Sequence, residues 1–171
     1  YTLGTIAEEI SGLEGETAQN IASLIFDTMG IFWTMKFKNE KEKEPLDQWN
    51  LQSKNLPVKV FIPFGKEKIY REKEIPFDAT FALKASELDA EDWITLFNLE
   101  MTSLTGVLII RSVSKLKENK SDFGLKDIQN IIEHDGKSSK ETKEIAVSLF
   151  SSAESWGVFS LDEYGTEIVD L

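Results

Sequence analysis

The chain has no cysteine among its 171 residues and a single histidine, His134. The first absence removes disulfides, thiolate catalysis and cysteine-based zinc sites together. With one histidine, a two-histidine metal site within one chain would need an unusual substitute, and a Ser-His-Asp triad would have to be built on His134. No apolar run approaches a membrane span, and no basic n-region of a secretory signal opens the sequence. Cations are also in short supply: 19 Lys and Arg stand against 30 Asp and Glu, a formal charge of −11. That balance argues against this segment forming a main nucleic-acid surface. No repeat of fixed period is visible. No initiator Met or N-cap residue precedes Tyr1, so the helix expected at Tyr1–Ile10 lacks its start signal.

What is present describes an ordinary folded chain. Hydrophobic residues make up 41% and charged residues 29% of the total, and eleven Phe with four Trp supply the bulk for a real core. The lack of cysteine and of a membrane span leads to an expected cytoplasmic location. At this length one domain, or one domain with an insertion, is expected.

Leu3, Ile6, Ala7 and Ile10 fall at i, i+3, i+4 and i+7, which predicts an amphipathic helix. The apolar run Ile21 to Phe26 then predicts a buried strand ending at Asp27. Asp27 has three readings: a residue at the carboxyl edge of a parallel sheet, where ligands bind; a Walker B carboxylate holding Mg²⁺ through water; or a plain cap before Gly30. Lys36 to Lys54 is strongly charged and predicts a solvated connector over 36–55. Val58, Val60 and Ile62 alternate between Pro57 and Pro63 and predict a short strand, and Ala79 to Leu83 predict another.

From Ser86 the period becomes helical. Ser86-Glu87-Leu88-Asp89 resembles a capping box, followed by Trp93, Leu96 and Phe97 on one face. Leu104, Val107, Leu108 and Arg111 continue the spacing. Leu125, Ile128 and Ile132 mark a third helix, stopping near Asp135-Gly136. Ile145, Ala146, Leu149, Phe150 and Ala153 mark a fourth. Short connections predict antiparallel neighbours. The expected organisation is thus 1–83 with its connector, a helical subdomain over 84–156, and a return segment over 157–171.

Tyr1-Thr2-Leu3-Gly4-Thr5-Ile6-Ala7-Glu8-Glu9-Ile10 resembles the stretch after the Gly-Lys-Ser of Walker A in archaeal and bacterial P-loop ATPases of the HerA/FtsK class. Ser23-Leu24-Ile25-Phe26-Asp27-Thr28-Met29-Gly30 resembles the same family's second strand, which closes with Asp-x-x-Gly. Relatives often carry Glu and then an aromatic after that Gly; here Ile31 and Phe32 stand there. The resemblance covers about the first 35 residues. It implies an α/β fold, an incomplete RecA-like P-loop core segment with an inserted or appended helical subdomain. It also implies ATP and Mg²⁺ as cofactors of the parent protein, a hexameric ring, and DNA as the translocated substrate. Tyr1 and Thr2 would then meet the nucleotide through their backbone, beyond a phosphate loop lying upstream. Asp27 is the candidate catalytic carboxylate.

Asp162-Glu163, after Val158-Phe159-Ser160-Leu161, imitates a Walker B strand with its catalytic Glu, but Ser160 interrupts the apolar run and the following Tyr164-Gly165-Thr166 reads as a turn. The true Walker B strand would lie beyond Leu171, and the chain alone would not hydrolyse ATP. Glu133-His134-Asp135 reads as a solvated helix end, and Glu87, Asp89, Glu91 and Asp92 as a first-turn acidic cluster favoured by the helix dipole. The alternative to an ATPase segment is a non-enzymatic protein-interaction module on a small α/β scaffold.

Overall fold

The computed structural model describes residues 2–120 and 122–159. The chain divides into two compact units, one comprising residues up to Val60 with Glu74–Asp78, the other Phe61–Lys73 with the chain from Ala79 onward.

The first unit contains helix α1 (Thr2–Ser11), a short helix α2 (Gly15–Gln19), a 3-10 turn at Phe32–Lys36 and helix α3 (Lys43–Gln48). The helix expected from the Leu3–Ile10 stripe is therefore present. The charged connector, expected to be loop, holds α3. The unit is pinned by polar contacts. Lys36 Nζ meets both oxygens of Asp78 at 2.5 and 2.6 Å, Val60 N–H donates to the same carboxylate at 2.6 Å, and Asp78 N–H returns a bond to Val60 C=O. The Lys36 ammonium and the Val60 N–H together hold the Asp78 carboxyl below its ordinary value. Apolar burial here is slight; Leu56 is the buried hydrophobic residue of this unit.

The second unit opens with two short parallel strands, β1 (Phe61–Pro63) and β2 (Ala79–Phe81), in register Phe61 to Ala79. Helix α4 (Glu67–Glu72) lies in the connection between them. Four helices follow: α5 (Ala90–Leu96), α6 (Leu104–Asn119), α7 (Leu125–Glu133) and α8 (Lys140–Trp156). Each expected helix of this region is found, with its start signal read from local chemistry. Ser103 Oγ accepts the Gly106 N–H, Ser139 Oγ accepts the Thr142 N–H, and Asp92 accepts the N–H of Asp89. The first of these helices starts at Asp89, because Ser86 is taken up in a preceding 3-10 turn, Ala85–Glu87.

The core of this unit gathers one stripe from each helix: Trp93 and Ile94 from α5, Leu108, Ile109 and Val113 from α6, Ile128 and Ile132 from α7, and Ala146, Phe150 and Ala153 from α8. Trp93 is its centre. Its ring lies 5.0 Å from Phe150, 5.1 Å from Phe159 and 5.7 Å from Phe97. Each large aromatic buried in this way contributes about 2–3 kcal/mol by transfer alone.

After α8 the chain turns back beside β2. Gly157 caps the helix at φ +70, Leu83 N–H donates to Val158 C=O at 2.7 Å, and Leu83 pairs in parallel with Phe159. Gly65 N–H donates to Gly157 C=O at 2.8 Å, and Lys66 Nζ reaches the Ser155 carbonyl at the open end of α8. The two glycine backbones are in contact: a Cβ on Gly65 would stand 2.7 Å from the Gly157 Cα.

This architecture corrects the expected fold class. The described chain is mostly helical with two short parallel strands, and it is not a RecA-like α/β core. Ile21–Phe26, expected to be a strand, lies outside every helix and strand. A strand exists only by pairing, and no partner strand meets this run among the described residues. The β1 strand is also shorter than its Val58–Ile62 alternation and includes Pro63, whose missing N–H is tolerated at a sheet edge.

Two predictions follow from the second unit. Gly65→Ala places a methyl against backbone that cannot yield, and it is expected to cost about 1–3 kcal/mol, as measured by urea unfolding. The second concerns Asp135, whose side chain is 13% exposed at the α7–α8 corner. Burial opposes its charge. The Ser138 hydroxyl, the N–H groups of Ser138 and Lys137, and the Arg111 guanidinium outweigh that and bring its pKa down from 3.8 to about 2. A folded pKa below the unfolded one gives stability that is complete above the unfolded value and lost as pH falls through the folded one. Between pH 5 and 2 the wild type should lose about 2 kcal/mol from this group. Asp135→Asn should lack that component of the slope in unfolding curves taken across the same range.

Candidate functional site

The residues that carry the resemblance all belong to the first unit. Thr2 is the first residue of α1, a helix of ten residues with no acidic side chain in its first turn. Helix N-termini offer unpaired N–H groups and a positive dipole end, so an acid-free first turn fits an anionic group such as a phosphate. Tyr1 lies outside the described residues. The stripe of α1 remains largely open, with Leu3 63% and Ile6 49% exposed, and no residue of the helix is buried.

Asp27 organises the turn that follows the apolar run. Its Oδ1 accepts the Gly30 N–H at 2.8 Å and its Oδ2 accepts the Phe32 N–H at 2.7 Å. Gly30 stands at φ +65, a conformation that costs a side-chain-bearing residue about 1 kcal/mol or more. Phe32 begins the 3-10 turn, so Asp27 holds the entry to Phe32–Lys36. The spacing Asp-x-x-Gly thus has a local physical reason: the carboxylate closes the turn and the glycine lets the chain reverse. Trp33 Nε1 donates to the Gly30 carbonyl and ties the turn from its other side. Each Asp27 oxygen keeps a lone pair for a further donor or a metal-bound water. No hydrogen bond joins Thr2 to Asp27 among the described residues.

Several of the remaining polar candidates have structural partners. His134 caps α7, with Nδ1 at 2.8 Å from the Asn130 carbonyl. Asp89 pairs with Lys117, and Asp127 pairs with Lys120 while accepting the Gly124 N–H. The Lys120 ammonium, working against partial burial, holds the Asp127 carboxyl below its usual value. No group of three or more potential metal ligands occurs among the described residues. Asp162 and Glu163 lie outside them. A surface depression lined by Glu141, Glu144, Ile145, Ser148 and Leu149 belongs to successive turns of α8 alone and is wide open. No helix among the described residues is long and apolar enough to cross a membrane.

Two polar links escaped the sequence. Arg111 and Asp135 are 24 positions apart and meet through two bonds, at 3.1 and 2.9 Å. Lys36 and Asp78 are 42 apart. Neither pair has a helical or strand spacing that could have announced it. Trp93 Nε1 is buried without a hydrogen-bond partner among the described residues, enclosed by aromatic rings.

Compared with protein-family models, with curated proteins and with solved structures, the chain gives no match.

Proposed function

We propose that this chain is part of an ATP-binding ATPase of the HerA/FtsK class, in which the four-helix unit α5–α8 is a non-catalytic accessory module. The observation that carries the reading is the Asp27–Gly30 turn. The motif by which the sequence resembles that family is here a formed element, with the carboxylate bonded to the Gly30 and Phe32 N–H groups. The acid-free first turn of α1 supports a phosphate near Thr2. ATP supplies the anionic phosphates, and Mg²⁺ would be held through water by a carboxylate of the Asp27 kind. By resemblance, the assembly is a hexameric ring acting on DNA, whose basic surface belongs to other parts of the parent. Cytoplasmic residence belongs to the same reading.

A second reading is favoured by one observation. The second unit has its own core around Trp93 and holds no group of three or more potential metal ligands among the described residues. On that reading the chain is a non-enzymatic protein-interaction module.

The test is ATP binding and turnover by the natural full-length protein. Asp27→Asn keeps an acceptor for the turn but removes the charge. If Asp27 serves the nucleotide, turnover should fall tenfold or more while ATP binding persists. Unchanged turnover would confine Asp27 to the turn, and absence of ATP binding by the wild type would leave the module reading.

A further inference from the structure

Asp135-Gly136 is the one Asp-Gly pair in the sequence, and no Asn-Gly occurs. An Asp-Gly peptide is open to main-chain isomerisation, because a residue without Cβ lets its nitrogen approach the preceding carboxyl carbon. Here the nitrogen is unengaged. The Gly136 N–H donates no hydrogen bond among the described residues, and a Cβ at Gly136 would meet nothing within 4 Å.

The carboxyl group, by contrast, is held. Asp135 Oδ1 accepts from Arg111 Nε at 3.1 Å, and Oδ2 accepts from Arg111 Nη2 at 2.9 Å, the Lys137 N–H at 3.0 Å and the Ser138 N–H at 2.8 Å. The same Nη2 reaches Ser138 Oγ at 3.0 Å, and Lys143 Nζ holds the Asp135 carbonyl at 3.2 Å. Isomerisation requires the carboxyl group to leave these partners and to carry a proton, since its hydroxyl departs as water. Burial opposes the charge, yet the Ser138 hydroxyl, the two N–H groups and Arg111 bring the pKa to about 2, so the acid form is scarce at neutral pH.

We propose that Asp135-Gly136 is the site at which this chain forms isoaspartate, and that the clamp of Arg111 and Ser138 on the Asp135 carboxylate sets the rate. In the opened corner the Gly136 nitrogen bonds to Asp135 Cγ. The amide proton and the carboxyl hydroxyl leave as water, closing a succinimide ring. Water then breaks the ring at the former Asp135 main-chain carbonyl, and the chain continues through the β-carboxyl. Mass is unchanged, the main chain gains a methylene, and the free carboxylate now stands on Cα. From there it no longer spans Arg111, Lys137 and Ser138, so the α7–α8 corner loses its pin once converted. The inference does not rest on the ATPase reading.

The full chain, Arg111→Ala and Ser138→Ala are incubated warm at neutral pH for several weeks, beside a urea-unfolded sample. Isoaspartate is read in the tryptic peptide spanning 127–137, as a second species of identical mass that a protease cutting before Asp no longer cleaves at position 135. Charge-assisted bonds resist local opening, so Arg111→Ala is expected to convert about tenfold faster than wild type. Ser138→Ala should shift in the same direction, and the unfolded chain should convert fastest. Gly136→Ala has room for its methyl and should suppress conversion with the helical signal retained. Leu116→Ala weakens the core but removes no bond of the clamp, and it should leave the rate near wild type. If Arg111→Ala loses its helical signal, the comparison of Ser138→Ala with Leu116→Ala decides. Equal rates in wild type and the clamp variants, equal acceleration by Leu116→Ala, or isoaspartate arising first at another position would each overturn the proposal.

Discussion

The second unit depends on the burial of one side chain, Trp93. Its indole touches the rings of Phe97 just after α5, of Phe150 in α8 and of Phe159 after α8, so two stretches far apart in sequence, near 93–97 and near 150–159, are fastened at one point. The aromatic contacts are tilted rather than stacked face to face, as ring quadrupoles favour. The rest of the core then follows by periodicity. Once α5 and α8 are set against each other, the inward stripes of α6 and α7 have one direction in which to bury Leu108, Ile128 and Ile132. The indole N–H has no partner among the described residues, a polar cost offset by the apolar area that the ring removes from water.

That fastening also brings the chain back to the strands. Phe159, packed against Trp93, is the residue that pairs with Leu83, so the core and the strand bridge share one residue. The two glycines are where this return becomes tight. Gly157 ends α8 in the left-handed conformation, and its carbonyl receives the Gly65 N–H across a separation with no room for a Cβ. Helical packing therefore determines where the chain emerges, and the glycine contact determines how closely it passes the residues after β1.

How much of this was legible depended on the range of the interaction. The four helices α5–α8 were readable because their signal is local, apolar residues three and four apart. The Asp27–Gly30 turn was legible as a motif for the same reason, since its bond spans three residues. The Arg111–Asp135 and Lys36–Asp78 pairs were not, because tertiary packing alone brings them together. The α/β expectation failed at Ile21–Phe26. Six apolar residues ending in a carboxylate describe what a strand needs from its side chains, and they say nothing about whether a neighbour is present.

That difference between helix and strand explains why the two units contrast so sharply. A helix satisfies its own main chain, so α1 forms with its apolar stripe still open to solvent. A strand cannot do this; its donors and acceptors point outward to a second chain segment. The first unit accordingly holds its helices, the Asp27 turn and the Lys36–Asp78 pin, all made by local or polar contacts, while Ile21–Phe26 meets no strand partner among the described residues. The second unit supplies both needs internally, with inward stripes for the helices and neighbouring segments for Phe61–Pro63, Ala79–Phe81 and Phe159. The candidate nucleotide residues thus lie in the unit whose apolar surface is least covered. There a binding event can bury new area and pair free main chain, and so contribute to stability as well as to recognition.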